Sequence, residues 1–187
     1  MSREAQLLVS RTPKPDIPAH WSLYLPYSQS TTTQIQKQIG KLIHVVGSPL
    51  HGYSLEFKAS YIPSEDSIKR IPFPLCDFKD EDVKHTECYI LSNSDNESLK
   101  KVAMGTEVEG WEGLDEFERV AMTVEAPGRV KGWNPLVPTK VGDRNCQWWM
   151  SKYIDVLIKE GMLGEEVYSN LDKIPETWDQ YQFQKAE

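Results

Sequence analysis

The sequence predicts an α+β domain in which an antiparallel β-sheet packs against helices. Three observations predict it. Period-two alternation rich in aromatics is confined to the first half of the chain, helical spacing is confined to the second, and no internal repeat or heptad pattern runs through either. At 187 residues the chain fits one domain, long enough to bury a core without a disulfide or metal staple.

Residues 1–18 read as an N-terminal, Pro-rich arm, because Pro13, Pro15 and Pro18 exclude a regular helix and bias their predecessors toward extended backbone. Residues 19–25 then alternate Trp21, Leu23 and Leu25 against His20, Ser22 and Tyr24, which is a strand signal. The polar stretch 28–38, rich in Ser, Thr and Gln, reads as a loop. A second strand is predicted at 41–46 and a third at 53–59, where Tyr53, Leu55 and Phe57 alternate with polar residues. Shorter strands are predicted at 70–75 and 87–91. Pro72 and Pro74 restrict the first of these to a sheet edge.

The period then changes. Residues 97–104 and 114–124 carry helical spacing, the second with Leu114, Phe117, Val120, Ala121 and Val124 on one face. A long connection, 125–144, leads into the strongest helix, 145–160, whose stripe is Trp149, Tyr153, Ile154, Leu157 and Ile158. Gly161 is a fitting stop. These readings place a single domain at 19–172 and a C-terminal extension, mobile or docked, at 173–187.

The formal charge of −7, with acidic residues spread along the chain, gives no basic footprint for nucleic acid and disfavours anionic membranes. No apolar run approaches the roughly 18 residues of a spanning helix, so no transmembrane segment is expected. Three cysteines without paired spacing fit neither a disulfide framework nor a zinc site. With no secretory signal at the start, the expected setting is the reducing cytoplasm, where a thiol stays free.

The candidate for chemistry is Cys146. It follows Asn145, a favoured N-cap, at the first turn of the strongest helix. A helix N-terminus carries partial positive charge and unpaired N–H groups, which favour a thiolate and can hold an oxyanion. On position alone the plainer reading, a small core residue among Trp148 and Trp149, has the better odds. His20 and His44, on adjacent predicted strands, raise the functional reading: one imidazole can take the thiol proton while the other orients it. For either histidine alone, a packed or capping residue is the simpler account. His51 and His85 fall in predicted loops and read as solvated; Cys76 and Cys88 read as packing residues.

Three blocks carry a family resemblance. His20-Trp21-Ser22-Leu23-Tyr24-Leu25 resembles the His-Trp-Ala-Ile-Tyr-Val strand of the lecithin:retinol acyltransferase-like proteins. Leu42-Ile43-His44 resembles their Val-Ile-His strand, and Asn145-Cys146-Gln147 their Asn-Cys-Glu helix start. The resemblance implies a permuted papain-like (NlpC-type) fold, with Cys146 as nucleophile, His20 as general base and His44 as the polar third member. The loop between the histidines is longer here than in those proteins, and Trp148-Trp149 replaces their polar and aromatic pair. Their C-terminal membrane helix has no counterpart, which argues against a phospholipid donor held in a bilayer. The chain is also similar to uncharacterised fungal proteins with a like opening and Asn-Cys-Gln block. The desumoylating isopeptidases of related type place an Asn-Cys at a helix start as well, so peptide or isopeptide cleavage stays open.

The expectation is a cysteine-dependent hydrolase or acyltransferase that acts on an ester, amide or thioester and needs no cofactor or metal. The rivals are a peptidase or isopeptidase of the same fold, a condensing or cyclising enzyme with an activated acyl donor, and a non-catalytic binding domain. The partner expected is a small-molecule, acyl or peptidyl substrate. Trp21, Trp133, Asn134, Arg144, Gln147 and Trp149 are the candidates to line its site, since they flank the catalytic positions or sit on the long connection leading to Cys146; the tryptophans read equally well as core, and the connection as a passive surface loop.

Overall fold

The computed structural model describes residues 2–10, 17–27, 39–83, 114–134 and 143–177. Five strands form one antiparallel sheet: β1 (Ser2–Ser10), β2 (His20–Pro26), β3 (Gly40–Ser48), β4 (Gly52–Tyr61) and β5 (Arg70–Lys79). Their spatial order is β4-β3-β2-β1-β5. Helices α1 (Glu116–Thr123), α2 (Cys146–Lys159) and α3 (Glu166–Leu171) follow. The architecture is α+β with a five-stranded antiparallel sheet. The strand expected at 87–91, the helix expected at 97–104, the loop at 28–38 and Cys88 lie outside the described residues.

The N-terminal arm is corrected. Residues 2–10 form β1, a central strand between β2 and β5. Its apolar run does not alternate because both faces are covered: Leu7 and Val9 enter the main core, while Leu8 joins Tyr24, Leu42 and Tyr61 on the other face. The three prolines begin only after the strand has ended. β5 is an edge strand, in keeping with its prolines.

Strand parity divides the side chains into two sets. Trp21, Leu23, Leu25, Ile43, Val45, Leu55 and Phe57 share one core with Phe117, Trp149, Tyr153 and Leu157 of α1 and α2. His20 and Ser22 have the parity of Tyr24, and His44 that of Leu42, so they leave the sheet toward the opposite face. Glu56 pairs directly with His44, and Lys58 with Leu42, which places those two on that face as well.

One charged side chain points into the helix side. Lys41 is fully buried, and its ammonium lies 2.5 Å from Asp115 and 2.9 Å from Glu118. The same two carboxylates close a capping box at the start of α1: Asp115 accepts from the Glu118 N–H, and Glu118 from the Asp115 N–H, both at 2.9 Å. Lys41 thereby fastens α1 to β3.

Helix α2 begins where its cap begins. The Asn145 side-chain oxygen accepts from the N–H groups of Gln147 at 2.9 Å and Trp148 at 3.1 Å. It ends at Gly161, whose φ of 72° is a left-handed conformation that a glycine adopts without strain. The C-terminal extension is docked as far as Thr177: the Glu176 carbonyl accepts from the Ala19 N–H at 2.8 Å, and Pro18 forms a bridge with Thr177. No helix among the described residues is long and apolar enough to cross a membrane.

Candidate functional site

Cys146 opens α2 against the start of β2. Its sulfur lies 3.9 Å from the Ala19 carbonyl, and the backbone N–H of Trp21 acts on the thiol's pKa. Those two groups flank His20 along the backbone. The β2–β3 ladder stops at the Leu23–Ile43 pair, and the sulfur occupies the edge of β2 beyond that point. The thiol is buried, and burial pushes its pKa up against the N–H groups of Trp21, Gln147 and Cys146 itself, which pull it down. The thiolate expected at a helix start is therefore corrected: desolvation outweighs the helix end, and the resting group is a thiol.

The histidines do come together. His20 Nε2 lies 2.8 Å from His44 Nδ1, and His44 Nε2 lies 2.6 Å from a Glu56 carboxylate oxygen. The protons in this chain follow from one fixed end. The His44 hydrogen bond holds the Glu56 carboxyl below its ordinary range, so it is an ionised acceptor and His44 Nε2–H donates to it. Burial lowers the pKa of His44 even against Glu56, so its ring is neutral and Nδ1 carries a lone pair. His20 Nε2–H donates into that lone pair. Burial, then the His44 ring, Arg70 and Lys58 depress His20 well below its ordinary value, so this ring is neutral too. Among the described residues its Nδ1 accepts no hydrogen bond and keeps its lone pair, as a general base requires.

The surroundings hold this arrangement. Arg70 donates to the Ser22 hydroxyl at 2.9 Å and pairs with Asp66 at 3.0 Å. Ser22 Oγ lies 3.4 Å from His44 Nδ1, and Lys58 lies 3.5 Å from Glu56. Among the described residues no hydrogen bond joins the thiol to either imidazole. Cys146 meets the backbone on both sides of His20, while the ring of His20 turns away to His44.

The family described as a family of unknown function, DUF6540, matches residues 6–164. The chain belongs to this family. No curated protein and no solved structure matches it. The DUF6540 region contains His20, His44, Glu56 and Cys146, and stops short of the docked 174–177 segment.

The substrate-lining candidates of this DUF6540 chain fare unevenly. Trp149 is corrected to a core residue: it is fully buried, stacks on Tyr153 at 5.1 Å and donates its indole N–H to the Val124 carbonyl. One helical turn past the cap, it faces the sheet. Trp21 is likewise corrected, its indole belonging to the helix-side core. Gln147 is corrected to a structural tie, its amide donating to the carbonyls of Ala19 at 3.0 Å and Glu176 at 2.7 Å. Arg144 is exposed and lies over the Trp148 ring at 4.4 Å. Asn134 is exposed and Trp133 half-buried in a turn closed on Val130. The segment before them is tied down, with Pro127 accepting from the Tyr53 N–H at 2.8 Å.

Two residues escaped the sequence reading. Glu56 carried a signal only in its register opposite His44, which depends on the length of the β3–β4 turn. In sequence Tyr53 carries a strand signal alone. Its phenol is pushed up to about 12, mainly by burial and further by the charges of Cys146 and Asp143.

Proposed function

We propose that this protein is a cysteine-dependent acyl-transfer enzyme, a hydrolase or acyltransferase acting on an ester, amide or thioester. The observation that carries the reading is the Glu56–His44–His20 chain, which ends on a free imidazole nitrogen at the strand position that Cys146 seats against. A structural histidine pair needs no partner to fix its tautomers in sequence, whereas a general base works best with an orienter that does so, as Glu56 does here. The block resemblance to the acyltransferase-like branch of the permuted papain-like enzymes supports the same roles. Cys146 is the nucleophile, His20 Nδ1 takes its proton, and His44 and Glu56 are positioning residues. The thiol must turn from Ala19 toward the imidazole as substrate enters, and apo hydrogen bonds in such sites commonly tighten only in the complex.

A second reading has an observation of its own. The buried thiol rests on a backbone carbonyl, which suits a binding domain that keeps this arrangement without chemistry. Incubation with p-nitrophenyl acetate at neutral pH, followed by peptide mass mapping, separates the two. The enzyme reading expects an acetyl group on Cys146, in preference to Cys76 and Cys88, and its loss in His20→Ala. Acetylation that ignores Cys146, or that survives the loss of His20, supports the binding domain.

A further inference from the structure

Acyl transfer requires donors for the oxygen that becomes negative when sulfur adds to a carbonyl. The first turn of α2 cannot supply them all. The N–H groups of Gln147 and Trp148 are taken by the Asn145 side-chain oxygen, and that of Trp149 by the Asn145 main-chain carbonyl at 3.0 Å. Among the described residues the first-turn N–H without an oxygen acceptor is that of Cys146, which lies against its own sulfur. The same cap leaves something in exchange. Asn145 is buried, and its Nδ2, with two N–H bonds, has no acceptor among the described residues. A buried amide without a partner costs on the order of 1–3 kcal/mol, so its persistence requires a reason. The carboxamide is planar: with its oxygen committed to the first turn, its nitrogen sits at the capped end of the helix, one residue from the sulfur.

Resting on the acyl-transfer reading above, we propose that Asn145 is a catalytic residue, its Nδ2–H forming the oxyanion hole together with the main-chain N–H of Cys146. In the step, the Cys146 sulfur forms a bond to the carbonyl carbon and its proton passes to His20 Nδ1. The π pair moves onto the oxygen, which the two N–H groups receive. Collapse restores the carbonyl and expels the leaving group, which takes the proton from His20 and leaves a thioester on Cys146. The ligand class is a neutral carbonyl compound, because the donors match an oxygen that acquires charge only during reaction.

Two reagents separate this role from thiol activation. p-Nitrophenyl acetate reacts through an oxyanion, whereas iodoacetamide alkylates sulfur by direct displacement and forms none. Asn145→Ser and Asn145→Asp both keep an N-cap acceptor, while neither keeps the amide donor. Cys146 acetylation is expected to fall by about 10²–10³-fold in both variants. Alkylation of Cys146 in the neutral serine variant is expected to stay within a few-fold of wild type. Unchanged acetylation in both variants overturns the proposal, and so does a parallel fall in both rates, which marks a structural or thiol-activating role. Wild-type protein that is alkylated but never acetylated at Cys146 overturns the acyl-transfer reading itself, and the oxyanion role with it.

Discussion

Replacing Lys41 with methionine is expected to destabilise the fold by about 3–5 kcal/mol, the usual consequence of removing one partner from a buried ion pair. The ammonium is fully buried between Asp115 and Glu118, at 2.5 and 2.9 Å. Without it two carboxylates face each other in the core, and both are needed in the capping box that starts α1. Burial, with Asp115 next to it, already pushes the Glu118 carboxyl up, so removing the cation drives it further toward the neutral acid. A domain of ordinary stability, about 5–15 kcal/mol, loses a large share of its margin. The urea midpoint at pH 7 checks this, and a loss below about 1 kcal/mol contradicts it. Adding Glu118→Gln to the methionine variant is expected to recover part of the loss, because it removes one of the stranded charges.

Replacing Glu56 with glutamine is expected to lower Cys146 acetylation by about 10²–10⁴-fold, the range seen when the orienting acid of a nucleophile–base pair becomes an amide. The carboxylate only accepts, and this fixes His44 Nε2 as protonated and, through His44 Nδ1, fixes His20 Nε2 as protonated. A glutamine amide can donate to His44 Nε2 instead. His44 then carries its proton on Nδ1 and donates to His20 Nε2, and the His20 proton moves to Nδ1, the nitrogen that should be free. Glu56→Asp keeps an acceptor-only carboxylate and is expected to retain more activity than the glutamine variant, although its chain is shorter. A merely structural Glu56 gives the reverse order, with the near-isosteric glutamine the milder change.

β2 and β4 were legible because large apolar side chains on the helix-side face (Trp21, Leu23, Leu25; Tyr53, Leu55, Phe57) alternate with His20, Ser22 and Tyr24 or with Ser54, Glu56 and Lys58 on the other. β1 was not, since a central strand covered on both faces loses its alternation and the prolines beyond it suggested an arm. At the site, Asn145-Cys146 announced a helix start through its capping chemistry. The state of the thiol did not follow, because desolvation depends on what packs around the sulfur, here β2 and the first turn of α2. Glu56 was hidden for a related reason: its partnership with His44 lies in register across a turn. Trp21 and Trp149 lie next to catalytic candidates in sequence, yet parity and helical phase turn both into the core.

The rate of iodoacetamide alkylation of Cys146 across pH 6–8, compared between wild type and His20→Ala, tests the general-base assignment most directly. A buried thiol without a base reacts only as free thiolate, whose fraction rises about tenfold per pH unit below its pKa. With His20 as base, the proton-transferred pair has a population independent of pH between the two titrations. The His20 titration lies below the ordinary histidine value and that of Cys146 above the ordinary thiol value. The account predicts a nearly flat wild-type profile over this range and a tenfold-per-unit slope in His20→Ala. The same steep slope in both proteins would contradict it.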